Sequence, residues 1–398
     1  MGTMWRRLIC LMPLLAGLPV APANADQACG QPGDIVWKEQ FGTADEDVAR
    51  SVAVDAAGNI AVVGYTRGNL FGSNQGGRDG FIISLTPDGS PRWQRQFGRA
   101  DDDYAEAVAL DPAGGFVVFG DTTSSTKRFF DVLLRRYAAN GSLSWKSQFG
   151  SPNAEYVLDG AVDAAGNLFV AGTARSTDSD ALLLKLTPRG DVTWTRLIGT
   201  KDPYSSETGY AVAIDSTGRA IVAGITSGAV AGANRGSMDP FVAKYASDGR
   251  PQWKRQFGSS EFDYAWDVAT DTDDSVILAG ETGWPSRGYV VKYNRTGARQ
   301  WWLQLPRVHP YTVAVSSENE IYVAGEGGDN GGGMWVGKVA AAGQLLWGRT
   351  YEGAYARADG IAIEPAGTGR LVVVGETQYD FAGVNQGGED AWAAVICR

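Results

Sequence analysis

Residues 89–120 read GSPRWQRQFGRADDDYAEAVALDPAGGFVVFG, and the opening Gly89-x-x-x-Trp93 is the element that decides the fold. The same glycine-to-tryptophan spacing occurs seven times, as Gly33/Trp37, Gly89/Trp93, Gly141/Trp145, Gly190/Trp194, Gly249/Trp253, Gly297/Trp301 and Gly343/Trp347. Successive tryptophans stand 56, 52, 49, 59, 48 and 46 residues apart. Self-similarity at a period of about 50 residues marks a chain built from one supersecondary unit, each copy burying its apolar face against the next.

Every unit carries the same order of signals. After Trp93 come Phe97-Gly98, an acidic loop, an apolar run over 107–110 and a tight turn at Pro112-Ala113-Gly114. A second run over 116–120, a polar loop of variable length, a third run over 131–134 and a turn at Asn140-Gly141 lead to Trp145. These are four short β-rich runs bounded by Gly, Asn, Asp and Pro, the residues that turns require. The turn after the first run recurs as Asp55 to Asn59, Asp163 to Asn167 and Asp215 to Arg219, where Gly permits positive φ and Asp bonds its own downstream backbone. Four strands repeated seven times predict an all-β fold, a seven-bladed β-propeller of four-stranded antiparallel blades, whose ring closure leaves few open edges. With strands lettered A to D from the axis outward, the chain starts on a D strand (35–41) and ends on a C strand (391–396). The N-terminal strand is therefore expected to complete the C-terminal blade and close the ring.

The repeat resembles the bacterial seven-bladed β-propeller repeat family. The residues that carry the resemblance are Trp93-x-x-x-Phe97-Gly98, Val54-Asp55-x-x-Gly58-Asn59, Gly64-Tyr65-Thr66 and Asn74-x-Gly76-Gly77-x-Asp79-x-Phe81, the last repeated over Asn385 to Trp392. The resemblance spans all seven units and implies an exported or surface-exposed bacterial protein, with no particular activity. Arg287 and Gly333 depart from it, standing where other units have Asp79, Asp131, Asp180, Asp239 and Asp390. The units around Trp301 and Trp347 also lack the Phe-Gly pair, so those blades are expected to be irregular or adapted to a partner.

Arg6 and Arg7, the apolar stretch from Leu8 to Val20 and Ala23-Asn24-Ala25 read as a secretory signal peptide over residues 1–25, leaving 26–398 as the propeller. The paired arginines also admit a twin-arginine export route. The apolar stretch is short for a transmembrane helix, and Asp26-Gln27-Ala28 before Cys29 does not suit a lipoprotein cleavage site. An exported protein, periplasmic or extracellular and without a transmembrane segment in its mature chain, is expected. Its net charge of −10 disfavours nucleic acid and anionic membrane as partners. Outside the leader only Cys29 and Cys397 remain. In the repeat frame Cys397 takes the place of Thr86 and Cys29 that of Leu85, which brings them within one residue of each other at the seam. In an oxidising compartment a disulfide is the natural reading, two free thiols the alternative. Closing nearly the whole chain into a loop stabilises it by roughly 4–5 kcal/mol through chain entropy.

Candidate functional residues divide into four groups. The tryptophans are read as packing between blades, with sugar stacking as the competing role; a quinone cofactor lacks its metal ligands here. Asp47, Asp103, Glu155, Glu207 and Asp263 stand eight residues before the turn Asp in five units, while Val308 and Ala356 take that place in the other two. They are expected as an acidic ring near one mouth of the central channel, gathering a cation or basic ligand, or else as caps for loop N–H groups. Asp101-Asp102-Asp103 and Asp271 to Asp274 offer oxygen ligands for calcium, without EF-hand spacing; no other cofactor is indicated. The long, variable connections are D–A and B–C, such as 67–78, 227–238 and 378–389, and in a meander both emerge on one face. Phe71, Trp284, Tyr379 and Phe381 are the candidate contacts there, tucking against neighbouring loops being their alternative role.

Catalysis finds little support. His309 is the only histidine, which excludes multi-histidine metal sites, and the glycines at 327–328 and 331–333 lack a Walker lysine. Two acids of the ring could serve glycoside hydrolase or lyase chemistry. The sequence thus predicts an exported, non-enzymatic propeller that binds a protein or glycan through its D–A/B–C face. A carbohydrate-active enzyme and a structural module of an envelope assembly are the rival readings.

Overall fold

Runs such as Ile60–Thr66 and Asp79–Leu85 are buried along their whole length, whereas Pro91–Phe97 is mostly exposed on the edge of the same sheet. This gradient from sandwiched strand to outer strand is what a blade standing between two neighbours produces. The computed structural model describes residues 29–123, 129–151, 154–175, 179–327, 332–352, 355–365 and 367–398. The leader assigned to residues 1–25 lies outside the described residues, as do Gly328 and Gly331. The described strands form seven four-stranded antiparallel sheets. The A strands are Asp47–Val54, Ala107–Leu110, Ala154–Val162, Glu207–Ile214, Asp263–Thr270, Val308–Val315 and Arg357–Ile363, in blades 1 to 7. Each packs against the A strand of the next blade in an unbroken circle, so strand A lines the axis as expected.

Closure follows the predicted one-plus-three scheme. Ile35–Phe41 runs antiparallel to Asp390–Cys397, with Trp37 opposite Val395 and Phe41 opposite Ala391. Gly33 N donates to Cys397 O at 2.8 Å, and Cys397 N to Asp34 O at 2.9 Å. The Cys29–Cys397 disulfide pins this seam, joining residues 368 apart with their Cα atoms 5.4 Å from each other. Blades 5 and 6, whose sequences depart from the pattern, nonetheless complete regular four-stranded sheets.

The Gly-x-x-x-Trp motif works between blades rather than within one. The indole N–H of Trp93 donates to Ala139 O at 3.0 Å, and Trp37, Trp194, Trp253 and Trp301 make the matching bond to Pro87, Ser247, Arg295 and Ala341. Each acceptor lies two residues before the motif glycine of the next blade. Gly141 has φ +78°, and a Cβ there would stand 2.4 Å from the Trp93 ring. Glycine is therefore required twice, for the turn and for the ring that lies over it. At the seam Gly33 receives Tyr351 instead, whose hydroxyl donates to Gly33 O at 2.5 Å.

Gly141→Ala should cost about 1–3 kcal/mol through strain and displacement of Trp93; urea unfolding monitored by tryptophan fluorescence measures it. Cys29→Ser should leave the fold intact and lower its stability by roughly 2–5 kcal/mol, because the open chain gains entropy when unfolded. Calorimetry of the variant beside the oxidised protein reads that difference.

Candidate functional site

The five recurring acids occupy equivalent places, one per blade, and all are buried. Four of them clamp the D–A loop four residues upstream. Asp47 accepts from Thr43 N at 2.6 Å, Asp103 from Arg99 N at 2.7 Å, Glu155 from Ser151 N at 3.1 Å and Asp263 from Ser259 N at 2.7 Å. Glu207 accepts from Thr226 Oγ1 at 2.7 Å and Ser205 Oγ at 3.3 Å. None of the five lines the central channel. The expected channel-mouth ring lies instead beneath the loops, because a carboxylate at the start of strand A is placed to satisfy loop donors that would otherwise be buried unpaired. Burial raises the Asp47 pKa to about 6, against the hydrogen bonds it accepts. The calcium candidates are similarly engaged. Asp102 accepts from Arg78 N at 2.9 Å, and Asp271 bonds Ser275 N at 2.8 Å and Lys292 Nζ at 2.6 Å. Among the described residues no group of three or more His, Cys, Asp or Glu side chains is arranged to hold a metal.

The channel is lined by residues that the sequence patterns did not single out. In six blades strand A carries a bulge opposite strand B, for example between Ala49 and Ser51. A bulge leaves one residue unpaired and re-aims its side chain. The residues so placed are Arg50, Leu158, Tyr210, Trp266, Tyr311 and Asp359, with Glu106 at the matching place in blade 2, and all seven line the axial cavity of about 180 Å³. A sequence signal for them exists. Strand B has a glycine opposite each bulge, and at Gly64 a Cβ would stand 1.8 Å from Val48 O. That glycine recurs at 120, 172, 224, 280, 325 and 375, and in six blades the channel residue lies fourteen positions before it.

These residues and their neighbours form a continuous rim. On one side Arg175 lies over Tyr156, followed by Phe130, Tyr104 and Tyr65 at centroid separations of 5.1, 5.9 and 5.0 Å. Arg78 lies over both Tyr104 and Tyr65, and Arg50 over Tyr65 at 5.4 Å. Asp359 bridges Arg50 at 3.7 Å and Arg357 at 2.7 Å. Arg357 covers Tyr311, which meets Trp266 at 5.9 Å, and Trp266 meets Tyr210 at 4.7 Å. The Trp266 ring also stacks on Tyr264 at 4.6 Å. The chain of contacts runs from blade 3 through blades 2, 1, 7, 6 and 5 to blade 4. His309 Nδ1 pairs with Glu281 Oε2 at 2.6 Å, and Glu281 also accepts from Ser286 Oγ at 2.5 Å and Trp266 Nε1 at 3.0 Å. Ser286 donates to the carboxylate and not to the imidazole, so the three do not make a nucleophile–base relay.

Carboxylates behind the rim are held toward their neutral form. Burial, and then the neighbouring Asp267 carboxylate, raise the Asp159 pKa to about 8. Burial alone raises Asp267, to about 6. Both tie blades together, Asp159 accepting from Val212 N at 2.8 Å and Asp267 from Val313 N at 2.7 Å. The folded protein retains a proton on Asp159 that the unfolded chain releases near pH 4, so this contribution to stability is full below that pH and is lost as pH rises through 8. Melting temperatures taken at about pH 5, 7 and 9 should fall along the series, and Asp159→Asn, which cannot ionise, should flatten the fall.

On the D–A/B–C face the four proposed aromatics divide. Phe71 and Phe381 tuck inward, Phe71 against Phe41 and Phe81, Phe381 against Trp392. Trp284 is 85% exposed and Tyr379 48% exposed, the latter stacked on Tyr355 at 5.7 Å. Phe129, Tyr204, Phe262 and Tyr355 are also exposed and lie in loops of the same face. Of the seven exposed aromatic side chains among the described residues, only Trp302 lies elsewhere.

No known family profile matches the chain, and no curated protein matches it in sequence. Solved structures match it in fold. The WD40 beta propeller domain of Doa1 superposes with a TM-score of 0.54 at 12% identity, over 89% of this chain and 96% of that one. Sqt1 from Chaetomium thermophilum gives a TM-score of 0.52 at 12% identity, over 92% and 99%. At such identity the likeness establishes the β-propeller architecture and carries nothing about a ligand.

Proposed function

We propose that this protein is an exported, non-enzymatic member of the bacterial seven-bladed propeller repeats that binds a protein or glycan through its D–A/B–C loop face. The observation that carries the reading is the segregation of exposed aromatics: of the seven among the described residues, six lie in the loops of that one face. Aromatic side chains that stay exposed on a rigid scaffold offer large contact area at low entropic cost, the property of binding hot spots. The continuous aromatic and guanidinium rim lies at the centre of the same face. Export is supported by the leader read in residues 1–25 and by the Cys29–Cys397 bond, which suits an oxidising compartment. The acidic composition argues against a nucleic-acid partner. An enzymatic role would call on Asp47, Asp103, Glu155, Glu207 or Asp263, whose buried carboxylates are taken up by hydrogen bonds from the scaffold, Asp103 and Glu155 included although each lines a surface cavity.

The test is affinity capture from the envelope and medium of the source organism, with and without chelator, on the native protein and on a Trp284→Ala/Tyr379→Ala variant. Both positions are exposed, so the variant should fold normally. It should bind the captured partner at least about tenfold more weakly. Undiminished binding by the variant overturns the loop-face reading. Turnover on a polysaccharide panel that disappears in Asp103→Asn/Asp263→Asn overturns the non-enzymatic one.

A further inference from the structure

Among the described residues, six of the seven grooves between blades are plugged by the chain itself. In blades 1, 4 and 7 the B–C connection is twelve residues long (67–78, 227–238 and 378–389) and drops an apolar side chain into the groove toward the preceding blade. Phe71 lies 6.0 Å from Phe41 and 5.6 Å from Phe81, Val230 packs against the core cluster that includes Ile198 and Phe241, and Phe381 lies 5.0 Å from Trp392. A strand D glutamine holds each loop, Gln96 accepting from Phe71 N at 2.9 Å, Gln256 from Ala231 N at 3.0 Å and Gln40 from Phe381 N at 3.0 Å. Elsewhere a side chain of the sheet does the same work. Arg135 covers Phe97 at 3.9 Å, Trp302 stacks on Tyr289 at 4.4 Å, and Trp335 is buried beside Leu305.

The groove between blades 2 and 3 differs. The B–C connection of blade 3 is only residues 176–178. Leu197 stands where blades 1, 4 and 7 have the clamping glutamine, and Thr195 stands where blade 5 has Trp302. Phe149, Leu182, Leu184, Val192 and Leu197 wall a cavity of about 340 Å³. Leu197 is 56% exposed and Val192 49% exposed. Phe149 and Leu182 are the counterparts of Phe41 and Phe81, the two rings between which Phe71 sits. Glu155 and Asp180 also line the cavity, Glu155 buried and accepting from Ser151 N at 3.1 Å, while Arg175 is exposed on its rim and adds a positive charge there.

We propose that this groove is a docking site for a partner peptide that presents a bulky aromatic side chain beside an acidic residue. The ring enters the groove as Phe381 enters its own, and the acidic neighbour, in the place of Asp380, meets Arg175. The template is internal: within the chain's own Tyr379-Asp380-Phe381-Ala382 segment, Phe381 fills the equivalent space in blade 7 with Ala382 packed beside it, and Tyr379 and Asp380 stay exposed. Charge complementarity with Arg175 selects the acidic flank. The site shares Arg175 with the rim but contains neither Trp284 nor Tyr379, so the Trp284→Ala/Tyr379→Ala variant should keep the peptide response, and failure of this site and failure of the loop-face reading are distinguishable.

The probe is the capped tetrapeptide acetyl-Tyr-Asp-Phe-Ala-amide, titrated into the full protein with methyl-labelled Leu and Val and followed by NMR. Saturable shifts confined to the methyls of Leu182, Leu184, Val192 and Leu197 are expected, with a Kd of about 1 mM or tighter, as suits a single apolar anchor. The same peptide with Ala for Phe should give none. Thr195→Trp, which plugs the groove as Trp302 does in blade 5, should abolish the response, and Arg175→Glu should weaken it several-fold. An unchanged spectrum of the distant blades verifies that each variant is folded, and Leu197→Gln provides a second, milder block. Absence of shifts in the native protein, or shifts that persist in Thr195→Trp, overturns the proposal. So does a response of the same methyls to protein concentration alone, which would make a second copy of this chain the occupant.

Discussion

One contact, made at six of the seven junctions, sustains this ring: the indole of an outer strand lying over the glycine turn of the next blade. It couples a local requirement, positive φ at a C–D turn, to a long-range one, the spacing and tilt between neighbouring blades. A glycine at Gly141 leaves room for the Trp93 ring, and that ring reaches the carbonyl of Ala139. Repeated around the circle, the contact links the outer strands in the way that the A strands are linked at the axis. The seam is where the scheme changes partners. Gly33 receives Tyr351, and a covalent bond between Cys29 and Cys397 reinforces what the indole supplies elsewhere.

Because the blades hold one another at both radii, the residues between those contacts are free to vary. The bulge in strand A uses that freedom. In six blades it turns one residue toward the axis, and with Glu106 at the matching place in blade 2 the seven share no chemistry: two are acidic, one is basic, one aliphatic and three aromatic. A glycine on strand B accommodates each bulge, so the backbone device is repeated while the side chain is not. The buried carboxylates follow the opposite logic. Asp47 and its equivalents repeat in type because the loop N–H groups they satisfy repeat. Recurrence therefore marks scaffold, and variation marks surface available for recognition.

Much of this architecture is legible in the amino-acid sequence. The strand order, the blade count, the closing strand and the disulfide all follow from a repeat frame set by the glycines and tryptophans. Part of the candidate site is legible too, since loop length points to the D–A/B–C face. Sequence and structure part company where burial decides. Phe71 and Phe381 have the sequence context of exposed contacts and are plugs, while Trp284 and Tyr379 stay outside. The acids have the spacing of a channel ring and are loop clamps, because spacing along the chain fixes which blade a residue belongs to but not which way it points across a curved sheet.

The sequence by itself determined the period, the turns and the seam, since these depend on properties local to a few residues: the φ freedom of glycine, the self-bonding of Asp in turns, and the alternation of apolar side chains along a strand. Only the tertiary structure decided what faces the axis, what lies in the grooves and which groove stays open. Those outcomes depend on closure. When seven blades meet in a circle, each side chain's environment is set by a neighbour about fifty residues away in sequence, and whether Leu197 is covered depends on the length of a loop from another strand. Among the described residues neither a loop nor a sheet side chain fills the groove of blade 3, where Leu197 replaces the clamping glutamine and Thr195 the covering tryptophan, a consequence that exists only once the ring has formed.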